Sequence, residues 1–462
     1  MARPAILPGC LLLVLLSLSH MALGRQHSGQ SKDMLRQRED AQQCRLQNVS
    51  PSRPYKQIQS EAGRTDLWNE DEDQFQCAGV APVRNIIKPN GLSLPNASPA
   101  PRLVYIEQGR GVLGIITPGC PETYHSRGQA GAEGQEGSER RGDEHQQIFR
   151  IEAGDVVALQ AGFAHWCFND GDKDLIAVSV TDINSESNQL DNTLRSFYLA
   201  GGQYGKGEER EDADNIIRPL DENMLAKALD VPVELVRKVQ ADDKRGFTVE
   251  CEEGSMSMVK PDEEQGRRQN EEATMVGNGL GELYCNVRPR FNLDTQREAD
   301  VFVRRAGRLN TVNMNKLPIL QLLGMSAEKA RLEPNALFAP HWEMNSHSIM
   351  YMTKGEARVQ VAGPNGQTVC DATVKEGDML VIPQYFVVMK KAGDRGCEWV
   401  SFKTSPLPMK NPLVGKASSF NGMPASVLRN AYEKLTYEEA RQLKRNRQQF
   451  LMFLPPTRTG SS

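Results

Sequence analysis

The sequence has little excess charge of either sign, few aromatic residues and a single apolar run. The net charge of −4 excludes a generally basic nucleic-acid-binding protein. The one apolar run, at residues 10–16, is shorter than the roughly 20 residues that a membrane-spanning helix needs. Nine cysteines in 462 residues are too sparse for a small disulfide-rich scaffold. With 39% hydrophobic and 25% charged residues, the composition predicts a soluble globular protein of two or three domains.

The N-terminus has the organisation of a secretory signal peptide. Arg3 provides the positive end, residues 10–16 the apolar core, and Ala22-Leu23-Gly24 a small-residue cleavage site. We expect residues 1–24 to be removed by cleavage between Gly24 and Arg25. The mature protein then passes through an oxidising compartment with eight cysteines, an even number.

Two stretches of the chain repeat. Residues 105–112 resemble residues 351–359, and both predict two strands joined at a glycine. Residues 151–159 resemble residues 374–382, where a Gly-Asp turn precedes an apolar run rich in β-branched residues. Many short strands with glycine and proline turns predict a sandwich or closed jelly roll in each half.

An insertion separates the two repeated segments of the first half. Gly109 and Gly154 are 45 positions apart, whereas Gly355 and Gly377 are 22 apart. The excess of 23 matches residues 125–147, which have almost no large apolar side chains and are predicted to form a disordered insertion. Residues 203–214 and 260–277 are likewise predicted to be mobile loops.

Each half ends in a predicted pair of amphipathic helices, at residues 222–240 and 424–447. In the second pair, Thr436 and Glu439 have the spacing of a capping box. Helices appended to a β-barrel would expose their apolar stripes, so we expect these to pack on the other half or on a neighbouring subunit. In the first pair the apolar positions are Leu225, Leu229, Val233 and Val236.

The two halves carry opposite charge when the chain is divided at Asn278-Gly279. Residues 25–278 have a net charge of −14 and residues 279–462 a net charge of +9. Opposite charges of this size favour attraction between the halves and between neighbouring molecules. The same division places the acidic, predicted mobile segment immediately before the Asn-Gly pair, where a protease has access to the backbone.

Four segments are distinctive: QGRGVLGIITPGCPET at 108–123, NGLGELYC at 278–285, LPILQLL at 317–323 and WVSFKT at 399–404. They resemble the 11S globulins, the legumin-type seed storage proteins of plants. The similarity extends over roughly residues 44–450. It implies a mainly β fold of two tandem cupin (jelly-roll β-barrel) domains, each followed by a short helical extension.

The resemblance also implies a maturation pathway. The precursor is expected to form homotrimers in the endoplasmic reticulum and to reach the protein storage vacuole. An asparaginyl endopeptidase there cuts between Asn278 and Gly279, and the cut trimers stack into hexamers. The expected parts are an N-terminal cupin domain (25–259, the acidic chain), an acidic linker (260–278) and a C-terminal cupin domain (279–462, the basic chain). Allergenicity is an expectation of the same kind.

The disulfides implied by the resemblance are Cys44–Cys77 and Cys120–Cys285. The second would join the acidic and basic chains after cleavage. The remaining cysteines have no counterpart in the family's pairs, and buried thiols are one interpretation of them. A disulfide between the two that flank the Gly377 hairpin is the other. These remaining cysteines are Cys167, Cys251, Cys370 and Cys397.

Cupin enzymes bind metal through a His-x-His pair, a later glutamate and a third histidine on the Gly-Asp hairpin, a set that suits manganese, iron or zinc. In the second half, His341 occupies the first of these places. Glu343 stands at the second, Ser348 at the third and Val388 at the fourth. His341 is therefore either a structural histidine or the remnant of a metal site.

The first half retains fewer of these ligands. The three places before Gly109 hold Pro95, Ala97 and Arg102, and only His165 on the hairpin survives. We therefore predict no catalytic residues, no metal and no cofactor.

With no site predicted, the function is expected to lie in bulk properties. The 25 Asn, 29 Gln and 35 Arg carry additional nitrogen, which fits a nitrogen reserve. The predicted function is a seed storage protein with no nucleic-acid or membrane partner. The alternatives are a secreted metal-dependent cupin enzyme and a cupin that binds a small ligand in its barrel.

Overall fold

The chain is described by a computed structural model covering residues 46–125, 144–202, 215–252, 254–256, 258, 285, 287–295, 299–445 and 452–456. The signal peptide, Cys44, Asn278 and Gly279 lie outside these residues, as do both predicted mobile loops. The described chain is mainly β, as predicted.

The first barrel is built from two large sheets and a separate two-stranded sheet, β7-β8, with β15 contributed from the second half of the chain. One has the order β1-β2-β3-β12-β5-β10-β15, and the other the order β13-β4-β11-β6-β9 with β14 beside β4. The strands are β1 (Lys56–Ser60), β2 (Gly63–Leu67), β3 (Val80–Ile87), β4 (Gly91–Ala97), β5 (Arg102–Gln108), β6 (Arg110–Ile116), β7 (Tyr124–His125), β8 (Glu144–His145), β9 (Ile148–Glu152), β10 (Asp155–Leu159), β11 (Ala164–Phe168), β12 (Leu175–Asp182), β13 (Phe197–Tyr198), β14 (Thr248–Glu250) and β15 (Arg290–Asn292).

The C-terminal half forms one curled sheet of ten strands in which β20 and β23 are long and pair with each other. These strands are β16 (Val301–Val303), β17 (Gly307–Val312), β18 (Ser326–Leu332), β19 (Leu337–Glu343), β20 (Ser348–Ala362), β21 (Thr368–Lys375), β22 (Met379–Ile382), β23 (Val387–Lys403), β24 (Lys410–Pro412) and β25 (Phe453–Leu454).

Gly109 and Gly355 stand at equivalent turns of the two halves. Gly109 joins β5 to β6 at φ +88°, and Gly355 interrupts β20 at φ +70°. A Cβ atom at these positions would lie 2.6 Å from the carbonyl oxygen of Asp174 and 2.3 Å from that of Gly396. Only glycine combines a positive φ with so close an approach of backbone, which explains why both copies of the repeat have glycine here.

Among the described residues, an extensive apolar core lies between the two halves. It includes Leu103 and Val180 of the first half together with Ile349, Val381 and Phe402 of the second, all fully buried. One face of each half's β-structure is therefore covered by the other half. Burying this much apolar surface is the main stabilising contribution to their association.

Short helices complete both halves. The predicted pair at 222–240 appears as α2 and α3, and the pair at 424–447 as α6 and α7, preceded by a single turn, α5. The helices are α1 (Asp73–Ala78), α2 (Glu222–Leu229), α3 (Val233–Val239), α4 (Leu320–Leu323), α5 (Ser419–Gly422), α6 (Ala425–Ala431) and α7 (Tyr437–Arg445). Among the described residues, no helix has the length and apolarity needed to cross a membrane.

The capping box at the start of α7 is confirmed. Thr436 Oγ1 accepts a hydrogen bond from the Glu439 amide at 3.2 Å, and Glu439 Oε2 accepts one from the Thr436 amide at 2.8 Å.

The apolar side chains predicted to form one stripe along α2 and α3 are only partly buried. Val236 is buried within the chain, whereas the Leu229 side chain remains exposed.

The predicted insertion at residues 125–147 was drawn too wide. Tyr124 and His125 pair as β7 with Glu144 and His145 of β8. Gln146 donates to the Thr117 carbonyl at 3.0 Å and to the Cys120 carbonyl at 2.8 Å. The ends of this segment are thus tied to the barrel by backbone and side-chain hydrogen bonds that composition does not reveal. Residues 126–143 lie outside the described chain.

Candidate functional site

In the second barrel, a buried lysine lies among the positions where a cupin enzyme binds metal. Lys403 Nζ lies 2.5 Å from Glu343 Oε1, 3.0 Å from Glu328 Oε1 and 2.9 Å from Ser348 Oγ. All four side chains are about 1% exposed or less. The ammonium group therefore interacts with the oxygen atoms that a metal ion would otherwise need.

A second lysine completes the charge balance of this cluster. Lys410 Nζ contacts Glu328 and lies 3.4 Å from Glu343. Burial alone would raise the pKa values of both glutamates, but Lys403 and Lys410 outweigh it and hold them below the ordinary value. Two carboxylates are thus in contact with two ammonium groups, and the buried Lys390 lies close enough to influence the same cluster.

His341 does not act as a ligand in this arrangement. Its Nδ1 is 2.8 Å from the Ala339 carbonyl oxygen, and its ring packs on Phe338 with centroids 4.6 Å apart. Burial, together with the charge of nearby Lys390, lowers the pKa of His341 to about 3. Val388 is its register partner on β23. Within the described residues, no group of three or more His, Cys, Asp or Glu side chains could bind a metal ion.

The first barrel also has a cation near its equivalent positions. Arg102 is buried, and its Nε donates to Thr181 Oγ1 at 3.0 Å. His165 lies in the same interior, and burial followed by the charge of Arg102 lowers its pKa to about 4. A neutral histidine beside a guanidinium is not a binding site for a metal cation.

The two halves exchange their leading segments. Ser52, which precedes the first barrel, pairs with Met379 of the second through backbone hydrogen bonds of 2.8 and 2.9 Å. Conversely β15, which precedes the second barrel, adds to the sheet of the first by pairing with β10. We call residues 49–53 and 287–294 the exchanged arms.

An arginine on each exchanged arm binds the aspartate of the other half's Gly-Asp turn. Arg53 Nε lies 2.6 Å from Asp378 Oδ1, and Arg290 Nη1 lies 3.1 Å from Asp155 Oδ2. Each aspartate also accepts from a backbone amide three residues earlier in its own turn. Both arginines are partly exposed, and ion pairs in contact with solvent add little to stability. These pairs therefore mainly fix the position of the exchanged arms, while the apolar core provides most of the stability.

The structure describes three of the four cysteines that were predicted to form disulfides. Cys120 and Cys285 form a disulfide with Cα atoms 5.5 Å apart. Cys77 is disulfide-bonded, and Cys44 lies outside the described chain. Cys370 and Cys397 are separate, buried thiols, and Cys167 and Cys251 are also free. The interpretation as thiols is therefore the correct one for these four.

The chain matches the Cupin family model over residues 48–204 and 291–439. It is 47% identical to the 11S globulin seed storage protein 2 of Sesamum indicum over 424 residues, covering 89% of this chain and 92% of that protein. It is 42% identical to cocosin 1 of Cocos nucifera, covering 97% and 96%. The chain belongs to the 11S globulin seed storage proteins. This family membership confirms the predicted bicupin fold and the predicted storage role.

Solved structures agree with this assignment. The crystal structure of the coconut allergen cocosin has a TM-score of 0.78 at 41% identity and covers 89% of this chain and all of that one. An 11S globulin from Wrightia tinctoria, reported to reveal an auxin binding site, has a TM-score of 0.79 at 35% identity and covers 90% and 97%. A hazelnut vicilin at 18% identity, with a TM-score of 0.63, shares the fold alone.

Three functional features escaped the sequence analysis. The lysines of the second barrel come from β23 and β24, far along the chain from Glu328, and lysine is rarely fully buried. The exchanged arms have no motif of their own. The repeated Gly-Asp turn was recognised, but nothing in the sequence indicated that Asp155 and Asp378 each bind an arginine from the opposite half.

Proposed function

We propose that this 11S globulin is a nitrogen reserve without catalytic turnover. The observation that carries the proposal is the pairing of Lys403 and Lys410 with Glu328 and Glu343 where an enzymatic cupin would bind metal. A fold whose usual reaction centre holds an internal ammonium group has lost the means of metal catalysis while retaining its stability. The abundance of Asn, Gln and Arg fits the storage of nitrogen.

We further propose that the chain enters the secretory pathway, loses residues 1–24 and reaches the storage vacuole, where an asparaginyl endopeptidase cleaves between Asn278 and Gly279. Support comes from the position of the Cys120–Cys285 disulfide, whose two cysteines lie on opposite sides of this bond. The exchanged arms also connect the two sides of this bond, because residues 49–53 bind the second half and residues 287–294 bind the first. Each product chain would therefore keep a segment bound to the other chain.

The proposed assembly is a homotrimer of the precursor and a hexamer of the cleaved protein. Its support is the apolar surface that the helical extensions leave exposed. Such surface on a folded chain marks an interface with another protein. The exposed apolar side chains on α2, α3, α6 and α7 include Met224, Leu229, Leu235, Val239, Val427 and Leu443.

Denaturing gel electrophoresis of the protein from seed tissue, with and without reductant, tests the maturation proposal. We expect one band slightly below 51.4 kDa without reductant. With reductant it should divide into chains of 254 and 184 residues. A single uncut chain in both lanes would refute cleavage at Asn278. Stoichiometric manganese, iron or zinc in the purified protein would contradict the proposal that the second barrel has lost its metal site.

A further inference from the structure

Two adjacent arginines stand at the tip of an exposed hairpin in the second half of the chain. Strands β16 and β17 pair through residues 301–303 and 307–309, and Arg304 and Arg305 lie in the turn between them. Both side chains are exposed, and neither forms an ion pair with another described residue. Exposed polar loop tips are the places where proteases most readily cut a folded chain.

The backbone between the two arginines is also free. Within the described chain, no hydrogen bond engages the Arg304 carbonyl oxygen or the Arg305 amide, whereas the amide of Ala306 donates to the Val303 carbonyl at 3.0 Å. Arg305 has a φ of +67°, in the left-handed region that residues with a Cβ atom rarely adopt. A protease cleft binds its substrate as an extended segment, a conformation that relieves the strain at Arg305.

The hairpin is held to the barrel by few contacts. Strand β16 lies at the edge of the ten-stranded sheet, where it pairs with β17. Within residues 299–305 no side chain is buried, and Phe302 exposes 72% of its surface. The Asp300 carboxylate ties the strand down by accepting from the Thr311 amide at 2.7 Å and from Lys316 Nζ at 2.8 Å. A segment with so little burial opens locally while the rest of the barrel stays folded.

The other adjacent basic pairs of the described chain are less accessible to a protease. Three of them lie within regular structure, at residues 237–238 of α3, 390–391 of β23 and 444–445 of α7. The fourth, Lys244-Arg245, lies in a loop. The Arg245 carbonyl there accepts from the Glu61 amide at 2.9 Å, and the Arg245 guanidinium pairs with Asp243 at 2.8 Å. Among the described pairs, the turn between β16 and β17 thus combines exposure with a free backbone and free side chains.

This turn follows the cysteine that links the two halves. Cys285, which is joined to Cys120, precedes the turn in the chain, whereas strands β17 to β25 of the second barrel follow it. Strand β15 of the exchanged arm also precedes the turn and pairs with β10 of the first barrel. A cut at the turn would therefore leave the disulfide and this arm with the first half, and the second barrel would lose its covalent link.

We propose that the Arg304–Arg305 bond is a processing site for an endopeptidase specific for arginine, and that its hydrolysis uncouples the two halves without reduction of the Cys120–Cys285 disulfide. A carboxylate in the enzyme's specificity pocket, as in trypsin, binds the Arg304 guanidinium. Water adds across the amide and leaves a carboxylate on Arg304 and an amine on Arg305. The site goes beyond storage and beyond cleavage at Asn278, because it depends only on the hairpin and the disulfide.

Brief digestion of the full-length precursor with trypsin, followed by denaturing electrophoresis without reductant, tests the proposal. We expect a released fragment of 158 residues that begins at Arg305, or at Ala306 once the terminal arginine is trimmed. Cuts before Cys285 cannot release the second barrel, because it stays joined to Cys120 through the disulfide. A second barrel that remains attached without reductant, or a released fragment that begins elsewhere, would overturn the proposal.

Variants assign the release to this turn. Arg304→Gln combined with Arg305→Gln should slow it at least tenfold and leave the urea midpoint of unfolding unchanged, since both side chains are exposed. The matched control, Lys244→Gln combined with Arg245→Gln, should release the fragment at the wild-type rate. Asp300→Asn, which weakens the hold on β16, should speed release about two- to fivefold. Release at the wild-type rate from the Arg304 and Arg305 variant would overturn the assignment.

Discussion

At the scale of single residues, the second barrel depends on charges that are buried together. Lys403 contacts Glu328, Glu343 and Ser348, and all four side chains are almost completely buried. Removing one partner of a buried ion pair leaves an uncompensated charge, which costs more than the pair itself contributes. These few side chains therefore have a disproportionate effect on the stability of the whole domain.

Replacing Lys403 with methionine is expected to destabilise the protein by about 3–5 kcal/mol, because two glutamates then share one remaining close ammonium group. The measurement is the free energy of unfolding in urea. Lys375→Met, at an exposed position on β21, should change it by less than about 0.5 kcal/mol. Adding Glu343→Gln to the Lys403 variant should restore part of the loss. A Lys403 variant as stable as the wild type would contradict the charge-balance argument.

His341 makes the stability of the second barrel sensitive to acid. Its pKa is about 3 when folded and about 6.5 when unfolded, so the unfolded chain takes up the proton first and stability falls as the pH drops below 6.5. Between pH 7 and pH 5 the wild type should lose about 2 kcal/mol from this residue alone. The cost of His341→Asn should therefore be about 2 kcal/mol smaller at pH 5 than at pH 7.

Urea unfolding at the two pH values checks this prediction. Phe338→Leu, a non-titrating change beside His341, should cost the same at both. If the cost of His341→Asn does not depend on pH, the histidine is not buried in its neutral form.

At the scale of secondary-structure elements, each helical extension is held to its barrel by few side chains. Val236 of α3, Leu428 of α6 and Ala440 of α7 are buried, while most other positions of these helices are exposed. Short helices with so little burial depend on their caps for local stability. The capping box of Thr436 and Glu439 performs this role at the start of α7.

Thr436→Ala should loosen the first turn of α7 without unfolding the barrel. Loss of an N-cap hydrogen bond predicts roughly fivefold faster amide exchange in that turn. Hydrogen–deuterium exchange of the peptide that contains residues 437–445 measures the effect. Glu439→Gln, which can still accept from the Thr436 amide, should have a smaller effect. Unchanged exchange in the Thr436 variant would show that the cap is dispensable.

At the scale of the whole molecule, the two halves are interlocked as well as packed. Each exchanged arm extends onto the opposite half, where Arg53 binds Asp378 and Arg290 binds Asp155. Near the interface, Tyr351 of the second half donates to Glu107 of the first at 3.1 Å, and Trp68 packs edge-on against Tyr351. Each of these contacts joins a residue that precedes Asn278 in the sequence to one that follows Gly279.

The two chains that the proposed cleavage would produce are therefore expected to remain assembled after reduction. With Cys120→Ser, or with reductant, the acidic and basic chains should co-elute in size-exclusion chromatography in native buffer and separate only in denaturant. Their shared apolar core and exchanged arms are the reason. The uncleaved precursor treated identically is the control. Separation of the chains in native buffer on reduction alone would contradict this account.

The exposed apolar residues of the helical extensions predict where subunits meet. Leu229→Glu should prevent assembly of the proposed precursor trimer and leave a monomer, because it places a charge in the proposed interface. Asn223→Glu adds the same charge to an exposed polar position of α2 and should leave the trimer intact. Size-exclusion chromatography with light scattering distinguishes the two states. A Leu229→Glu trimer would place the interface elsewhere.

Much of the architecture follows from the sequence, because it depends on local patterns. The duplicated glycine turns, the alternating strands, the helical extensions and the Thr436–Glu439 cap are each encoded within a few neighbouring residues. The sequence also indicates which ligand positions hold other residues, because each position is defined by the number of residues that separate it from the repeated glycines. The unequal spacing of the repeated glycines, together with composition, placed the insertion at residues 125–147, although the ends of that segment belong to the barrel.

What the tertiary structure decided is how distant residues neutralise one another. Lys403 and Glu328 meet because β18 and β23 are neighbours, and Arg290 meets Asp155 because β15 joins the sheet of the other half. Among the described residues, the Arg102 side chain hydrogen-bonds only to hydroxyl groups of Thr181 and Ser196, which its sequence neighbours do not indicate. A sequence specifies which side chains exist and their local periodicity. The folded chain alone determines which charges share a region of low dielectric, where pairing becomes energetically decisive.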